Sequence, residues 1–149
     1  MMFSTKAEYG VRVMAHLAAC VDGKPVSLSA IAEAEGLPLA YLEHLVQRLR
    51  RAELVDSRRG AHGGYTLSRP AASITMAEVV EALEGGIAPI ECISEDPEGN
   101  LVCAREADHD HVCPTKLLWT RVQGSIVRTL RETTLLDLVK TPTKTKAAA

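Results

Sequence analysis

Residues 37–67 read LPLAYLEHLVQRLRRAELVDSRRGAHGGYTL, and this stretch decides the fold. Pro38 opens a helix whose apolar positions are Tyr41, Leu42, Leu45, Val46 and Leu49, spaced to fall on one face. Leu54–Ser57 and Tyr65–Leu67 alternate as short strands around Arg58-Arg59-Gly60-Ala61-His62-Gly63-Gly64, a glycine-rich hairpin tip. Upstream, Ser27/Ser29 start a short helix, Ala30–Glu35, closed by Gly36. Two helices joined by the tight turn Gly36-Leu37-Pro38 form a helix-turn-helix pattern, whose second helix enters the DNA major groove. The two-stranded ribbon that follows it is a wing. Its adjacent arginines sit on backbone able to approach phosphate or the minor groove closely.

Working outward, Thr5-Lys6-Ala7-Glu8 reads as a capping box for a first helix, with Ala7, Val11, Met14, Ala15 and Ala18 on its apolar face, ending near Cys20. Cys20 reads as a small core residue. Thr75-Met76-Ala77-Glu78 reads as a second capping box, for a helix ending at Gly85-Gly86. Residues 87–113 lack periodicity and hold three of the four cysteines. Pro114 restarts the chain as the first residue of a long amphipathic helix running to about Arg131, followed by a short turn of helix from Thr134. The expectation is a mainly α chain with a small two-stranded β wing. A winged helix-turn-helix occupies 1–86 (wing about 54–67), a cysteine-bearing loop 87–113, a dimerisation helix and short terminal helix 114–140, and a flexible tail 141–149.

At 149 residues, 46% hydrophobic and 24% charged, the chain can bury a core without disulfide staples. No apolar run approaches the roughly 18 residues needed to span a bilayer, and MMFSTKAEYGVR shows no basic region followed by an apolar stretch, so a cytoplasmic protein without a membrane partner is expected. Four cysteines in that setting point to metal or redox chemistry. No nucleophile–base arrangement or phosphate-binding glycine loop suggests an enzyme. The net charge of −2 conceals a pattern: residues 71–115 carry one Arg against ten acids, whereas Arg48, Arg50, Arg51, Arg58, Arg59 and Arg69 lie among only Glu43, Glu53 and Asp56. That basic stretch coincides with the helix and wing that would meet DNA. The apolar stripe of the long helix needs a cover, and a second copy would give a two-fold dimer matched to a palindromic operator on double-stranded DNA.

Cys92, Cys103 and Cys113 lack the CxxC spacing of structural zinc sites. Cys113, before Pro114 at a helix start, is favoured as the thiolate that ligates metal. The segments STKAEYGVRVMAHLA, LPLAYLEHLVQRLRRAELVDSRRGAHGGYTLSRPAASITMAEVVEALEG and CPTKLLW together resemble the bacterial winged-helix regulators of the IscR/NsrR family, from Phe3 to about Val139. The resemblance implies a homodimer whose operator affinity is controlled by an iron–sulfur cluster sensing redox state, nitric oxide or iron–sulfur status. It places Tyr41, Glu43, His44 and Gln47 on the DNA-facing side of the recognition helix and matches Arg59 to the wing arginine. Arg58 stands beside it, and Arg48 and Arg51 read as phosphate contacts. A carboxylate at Glu43 can accept from cytosine N4. The cluster, 2Fe–2S or 4Fe–4S, would be held by Cys92, Cys103 and Cys113. The fourth ligand, Lys116 standing where some relatives have histidine, would be Glu8 of the partner's first helix, His109, His111 or Glu35. The alternative is a cluster-free regulator using the three cysteines as a thiol–disulfide switch or a zinc site.

Overall fold

A computed structural model describes residues 3–20, 22–87, 90–108 and 112–140. Among them seven α-helices and two hairpins follow in the order α1 (Thr5–Ala19), α2 (Leu28–Glu35), α3 (Leu39–Arg51), β1 (Val55–Arg58), β2 (Gly64–Leu67), α4 (Met76–Glu84), β3 (Ile93–Glu95), β4 (Leu101–Cys103), α5 (Ala104–Asp108), α6 (Lys116–Glu132) and α7 (Leu135–Lys140), with a 3-10 turn at Ala71–Ser73 before α4. One core joins Val13, Met14 and Leu17 of α1 to Ile31 of α2, Leu42, Leu45, Val46 and Leu49 of α3, Val79 and Leu83 of α4, and Leu135 of α7. The i, i+3, i+4, i+7 spacing within α3 supplies its four core residues, so the opposite face must look outward.

Local chemistry sets the ends of these elements. Gly36 and Gly85 close α2 and α4 in the left-handed conformation. Thr75 and Glu78 form the expected reciprocal capping box. The first helix is capped one residue earlier than Thr5: Ser4 Oγ accepts from the Lys6 N–H at 3.2 Å, and Glu8 is left out of the cap. Ser4 in turn donates its N–H and hydroxyl to Glu84, which joins the start of α1 to the end of α4. At the crossing of these helices a Cβ on Gly10 would sit 2.0 Å from Leu83 Cδ1, so glycine permits their close approach.

The wing pairs Val55 with Leu67 and Arg58 with Gly64. It gains a third rung from Val26, which exchanges bonds with Tyr65 at 3.0 and 2.8 Å. A Cβ on Gly64 would lie 2.4 Å from the Val26 carbonyl oxygen, so the ribbon seats on the loop before α2 only with glycine there. Residues 87–113 depart from the irregular loop read in the sequence: β3 and β4 form an antiparallel hairpin with Ile93 opposite Cys103, and α5 follows it. Asp96 accepts the Asn100 N–H at 2.7 Å across its turn. The long helix also begins later than expected, at Lys116 with Thr115 as its N-cap. Pro114 and Cys113 therefore precede the helix. At its other end the chain returns to the core, with the Leu135 N–H donating to the Ile74 carbonyl and the Met76 N–H to the Thr133 carbonyl, at 2.8 and 2.9 Å.

Candidate nucleic-acid interface and cysteine site

Successive residues of α3 turn by about 100°, and the buried quartet occupies one side. Glu43, His44, Gln47 and Arg51 lie centred on the other side, all exposed. Tyr41 is at the edge of that face. It is half-buried, with its ring set edge-on to Tyr9 at 5.8 Å between centroids. The six arginines divide by partner. Arg48 donates to the Leu83 carbonyl at 3.1 Å, near the end of α4. Arg50 reaches Ser57 Oγ at 3.4 Å, and Arg69 pairs with Glu78 at 2.5 Å. Arg51, Arg58 and Arg59 make no ion pair or side-chain hydrogen bond among the described residues, and all three are exposed.

The wing tip is built for close approach. The Gly63 N–H donates to the Gly60 carbonyl at 2.9 Å, and a Cβ on Gly63 would meet the Arg58 carbonyl at 2.3 Å. Arg59 thus projects from a turn with little side-chain bulk around it. An exposed helix face of hydrogen-bonding side chains beside a tip with two uncommitted guanidiniums can read base edges and grip phosphate together.

The second site lies where the β3–β4 hairpin, α5 and the start of α6 meet. Cys103 is fully buried, and Cys92 and Cys113 are half-buried, all as free thiols. The Ala104 N–H donates to the Cys92 carbonyl at 2.9 Å, which brings the ends of the two strands together. Cys113 Sγ lies 3.4 Å from Thr115 Oγ1. Hydrogen bonding to the Thr115 hydroxyl and backbone, with a lesser contribution from the neighbouring Cys103 thiol, draws the Cys113 thiol below its ordinary value. Lys116 pairs with Glu106 at 2.5 Å, and Glu106 also accepts the Cys113 N–H at 3.1 Å. The Glu106 carboxylate raises the Lys116 ammonium, with smaller contributions from Cys103 and Cys113. Lys116 is therefore held by Glu106 at the start of α6, next to the segment that carries Cys113.

Among the described residues no three His, Cys, Asp or Glu side chains converge to hold a metal ion. Glu8 is exposed on α1, and no side-chain hydrogen bond or ion pair to it occurs among the described residues. Glu35 is committed elsewhere: it binds His16 Nδ1 at 2.9 Å and Arg12 at 3.3 Å, and these partners, His16 first, hold its carboxyl below the usual range. His109 and His111 lie outside the described residues. Cys20 ends α1 half-buried, its thiol donating to the His16 carbonyl at 3.3 Å.

The profile of the Rrf2 family, described as iron-dependent transcriptional regulators, matches residues 3–141. The chain belongs to the Rrf2 family. Protein rrf2 of Nitratidesulfovibrio vulgaris is 38% identical over 140 residues, covering 94% of this chain and 88% of that protein. The transcriptional regulator CymR of Bacillus subtilis is 38% identical over 138 residues, covering 93% and 89%. Its solved structure, that of the global cysteine regulator, superposes with a TM-score of 0.75, covering 94% of this chain and 97% of that one. The structure of IscR from T. potens gives a TM-score of 0.75 at 35% identity, covering 100% and 93%. This Rrf2 chain is accordingly a transcriptional regulator of mostly helical, winged-helix architecture. No described helix is long and apolar enough to cross a membrane.

Proposed function

We propose that this protein is a homodimer that binds a palindromic duplex operator, with α3 in the major groove and the wing against the adjacent minor groove. The observation that carries this reading is the joint exposure of Glu43, His44, Gln47 and Arg51 beside the uncommitted Arg58 and Arg59. Glu43, His44 and Gln47 would read base edges, Arg51 and Arg58 would contact phosphates, and Arg59 would enter the minor groove. Arg48 would meet phosphate only by leaving the Leu83 carbonyl. Tyr41 would contribute from the rim while its ring stays on Tyr9. The exposed Leu117 and Leu118 of α6, 62% and 54% accessible, support a second copy as the cover for that helix.

We propose further that the cysteine site controls operator affinity through an iron–sulfur cluster. The donors fit in kind: three thiols sit on one hairpin–helix unit, one of them drawn toward thiolate, the form that holds such clusters. Cys92, Cys103 and Cys113 would hold the group, and Glu8 of a second copy would supply an oxygen donor. Exposure and freedom from other partners support Glu8, whereas Glu35 is taken by Arg12 and His16. The cluster would supply a redox- and nitric-oxide-sensitive centre, 2Fe–2S or 4Fe–4S. Cys113 precedes α6 by two residues and the far end of α6 returns to Ile74 and Met76. A rearrangement at the cysteines is thereby transmitted along a helix of about 26 Å to the DNA-reading core.

The place of Cys103 and Cys113 on one hairpin–helix unit, both as free thiols, supports one second reading. The pair could release two protons and two electrons to an oxidant such as a peroxide and close a disulfide, moving the same helix without a cluster. Anaerobic purification with absorption spectra and iron and sulfide analysis separates the readings. Charge-transfer bands with about two or four irons per chain are expected. A colourless protein that takes up no iron on reconstitution overturns the cluster and leaves the disulfide.

A further inference from the structure

A cleft of about 380 Å³ opens between the β3–β4 hairpin and the second half of α6, away from both sites described above. Glu95, Gly99 and Leu101 line one wall, and Gln123, Gly124, Val127, Arg128, Arg131 and Glu132 the other. Its volume falls within the roughly 300–1,000 Å³ of small-molecule sites. Gln123 is the one buried polar residue among those described, 2% exposed, and its Oε1 has no hydrogen-bond partner. Burying an amide oxygen without a partner costs about 1–3 kcal/mol, so the Gln123 side chain would gain by turning its amide into the cleft to meet a polar group there. Around the rim, Glu95, Glu132, Arg128 and Arg131 make no ion pair among the described residues, although charges of both signs stand together. Gly124 leaves the cleft open, for nothing lies within 4 Å of the position its Cβ would take.

We infer that this cleft binds a free α-amino acid, a zwitterion small enough to enter and charged at both ends. Arg128 and Arg131 would take the carboxylate, Glu95 or Glu132 the ammonium, and the Gln123 amide an N–H or polar group in the apolar floor formed with Leu101 and Val127. On the helical wheel of α6, Gln123 and Val127 lie opposite Leu118, whereas Leu117 shares the side of Gly124 and Arg128. A second copy seated on Leu117 and Leu118 would therefore border the cleft at Gly124 and Arg128, with Gln123 and Val127 facing away from it. The ligand would bridge the hairpin to α6, the helix that connects the cysteines to the reading core. The inference goes beyond the proposed function and needs neither DNA nor a cluster.

The test is isothermal titration of the full chain, purified anaerobically, with each of the twenty L-amino acids. N-acetyl and methyl ester derivatives of any that bind follow. Saturable binding by at least one amino acid is expected, weakened at least about tenfold on removing either charge and at least about tenfold by Gly124→Leu, which fills the cleft. Gln123→Leu should do the same, and Gly124→Leu decides the matter if that variant fails to fold. The circular dichroism of Gly124→Leu should match the parent and its melting temperature should be no lower, because leucine is the better helix former and meets no clash there. No binding by any of the twenty, binding that survives in Gly124→Leu, or equal affinity for both blocked derivatives overturns the assignment.

Discussion

The reading core and the hairpin–α6 unit are built to different standards. From α1 to α4 every helix buries apolar side chains in the one core; Ser4, Ser27 and Thr75 cap the starts of α1, α2 and α4, and left-handed glycines close α2 and α4. In the hairpin and α6 only Ile93, Cys103 and Gln123 are buried, and one of those is an amide without a partner. Local stability follows buried apolar contact. The proposed DNA-reading face is thus carried on the better-packed body, whereas the cysteines and the cleft lie on the part of the chain that can rearrange at least cost.

Core deletions should expose that contrast most sharply. Leu45→Ala removes a side chain 1% exposed and should cost about 2–5 kcal/mol in urea denaturation. Leu101→Ala, at a half-buried site in the hairpin, should cost well under half as much; equal costs would remove the distinction. Arg59→Ala should weaken operator binding by about 1–3 kcal/mol in a fluorescence anisotropy titration, with melting temperature unchanged. Unaltered affinity would take the wing out of the interface. Gly10→Ala places a methyl against Leu83 and should destabilise the chain by about 1–3 kcal/mol; thermal denaturation that shows no loss would mean the α1–α4 crossing is slack.

A smaller effect, about 1–2 kcal/mol, is expected for Glu35→Gln, which weakens the bonds joining α2 to Arg12 and His16 of α1. Because the folded Glu35 carboxyl titrates below its ordinary value of 4.5, its stabilisation is present above that value and is lost as pH falls through the lower, folded one. Stability measured from pH 6 down to pH 3 should therefore fall more steeply in the parent than in Glu35→Gln. Parallel curves would show that the ion pair contributes nothing to the core.

Legibility in the sequence follows the same divide. The helix-turn-helix and wing were readable because Leu42, Leu45, Val46 and Leu49 repeat at helical spacing and because Gly36, Gly85 and the Thr75–Glu78 box mark ends by local chemistry. Ser4 and Thr5 both cap well, and the contact that chooses Ser4, with Glu84, is eighty residues away. The β3–β4 hairpin was not readable, since strands of three residues are too short to show alternation. Arginine clustering identified the basic region but not which guanidiniums are spent on Leu83, Ser57 and Glu78. The Glu106 bonds to Lys116 and to the Cys113 N–H, and the orphan oxygen of Gln123, depend on packing that spacing does not encode.

Control of the proposed reading face by the cysteine site is tested by an anisotropy titration of a duplex selected from random sequence, comparing the anaerobically purified parent with Cys113→Ser. Two states separated by about 3 kcal/mol would differ about 100-fold in affinity. A difference of at least about tenfold between parent and variant is predicted. The same affinity in both, with both folded, would contradict the account.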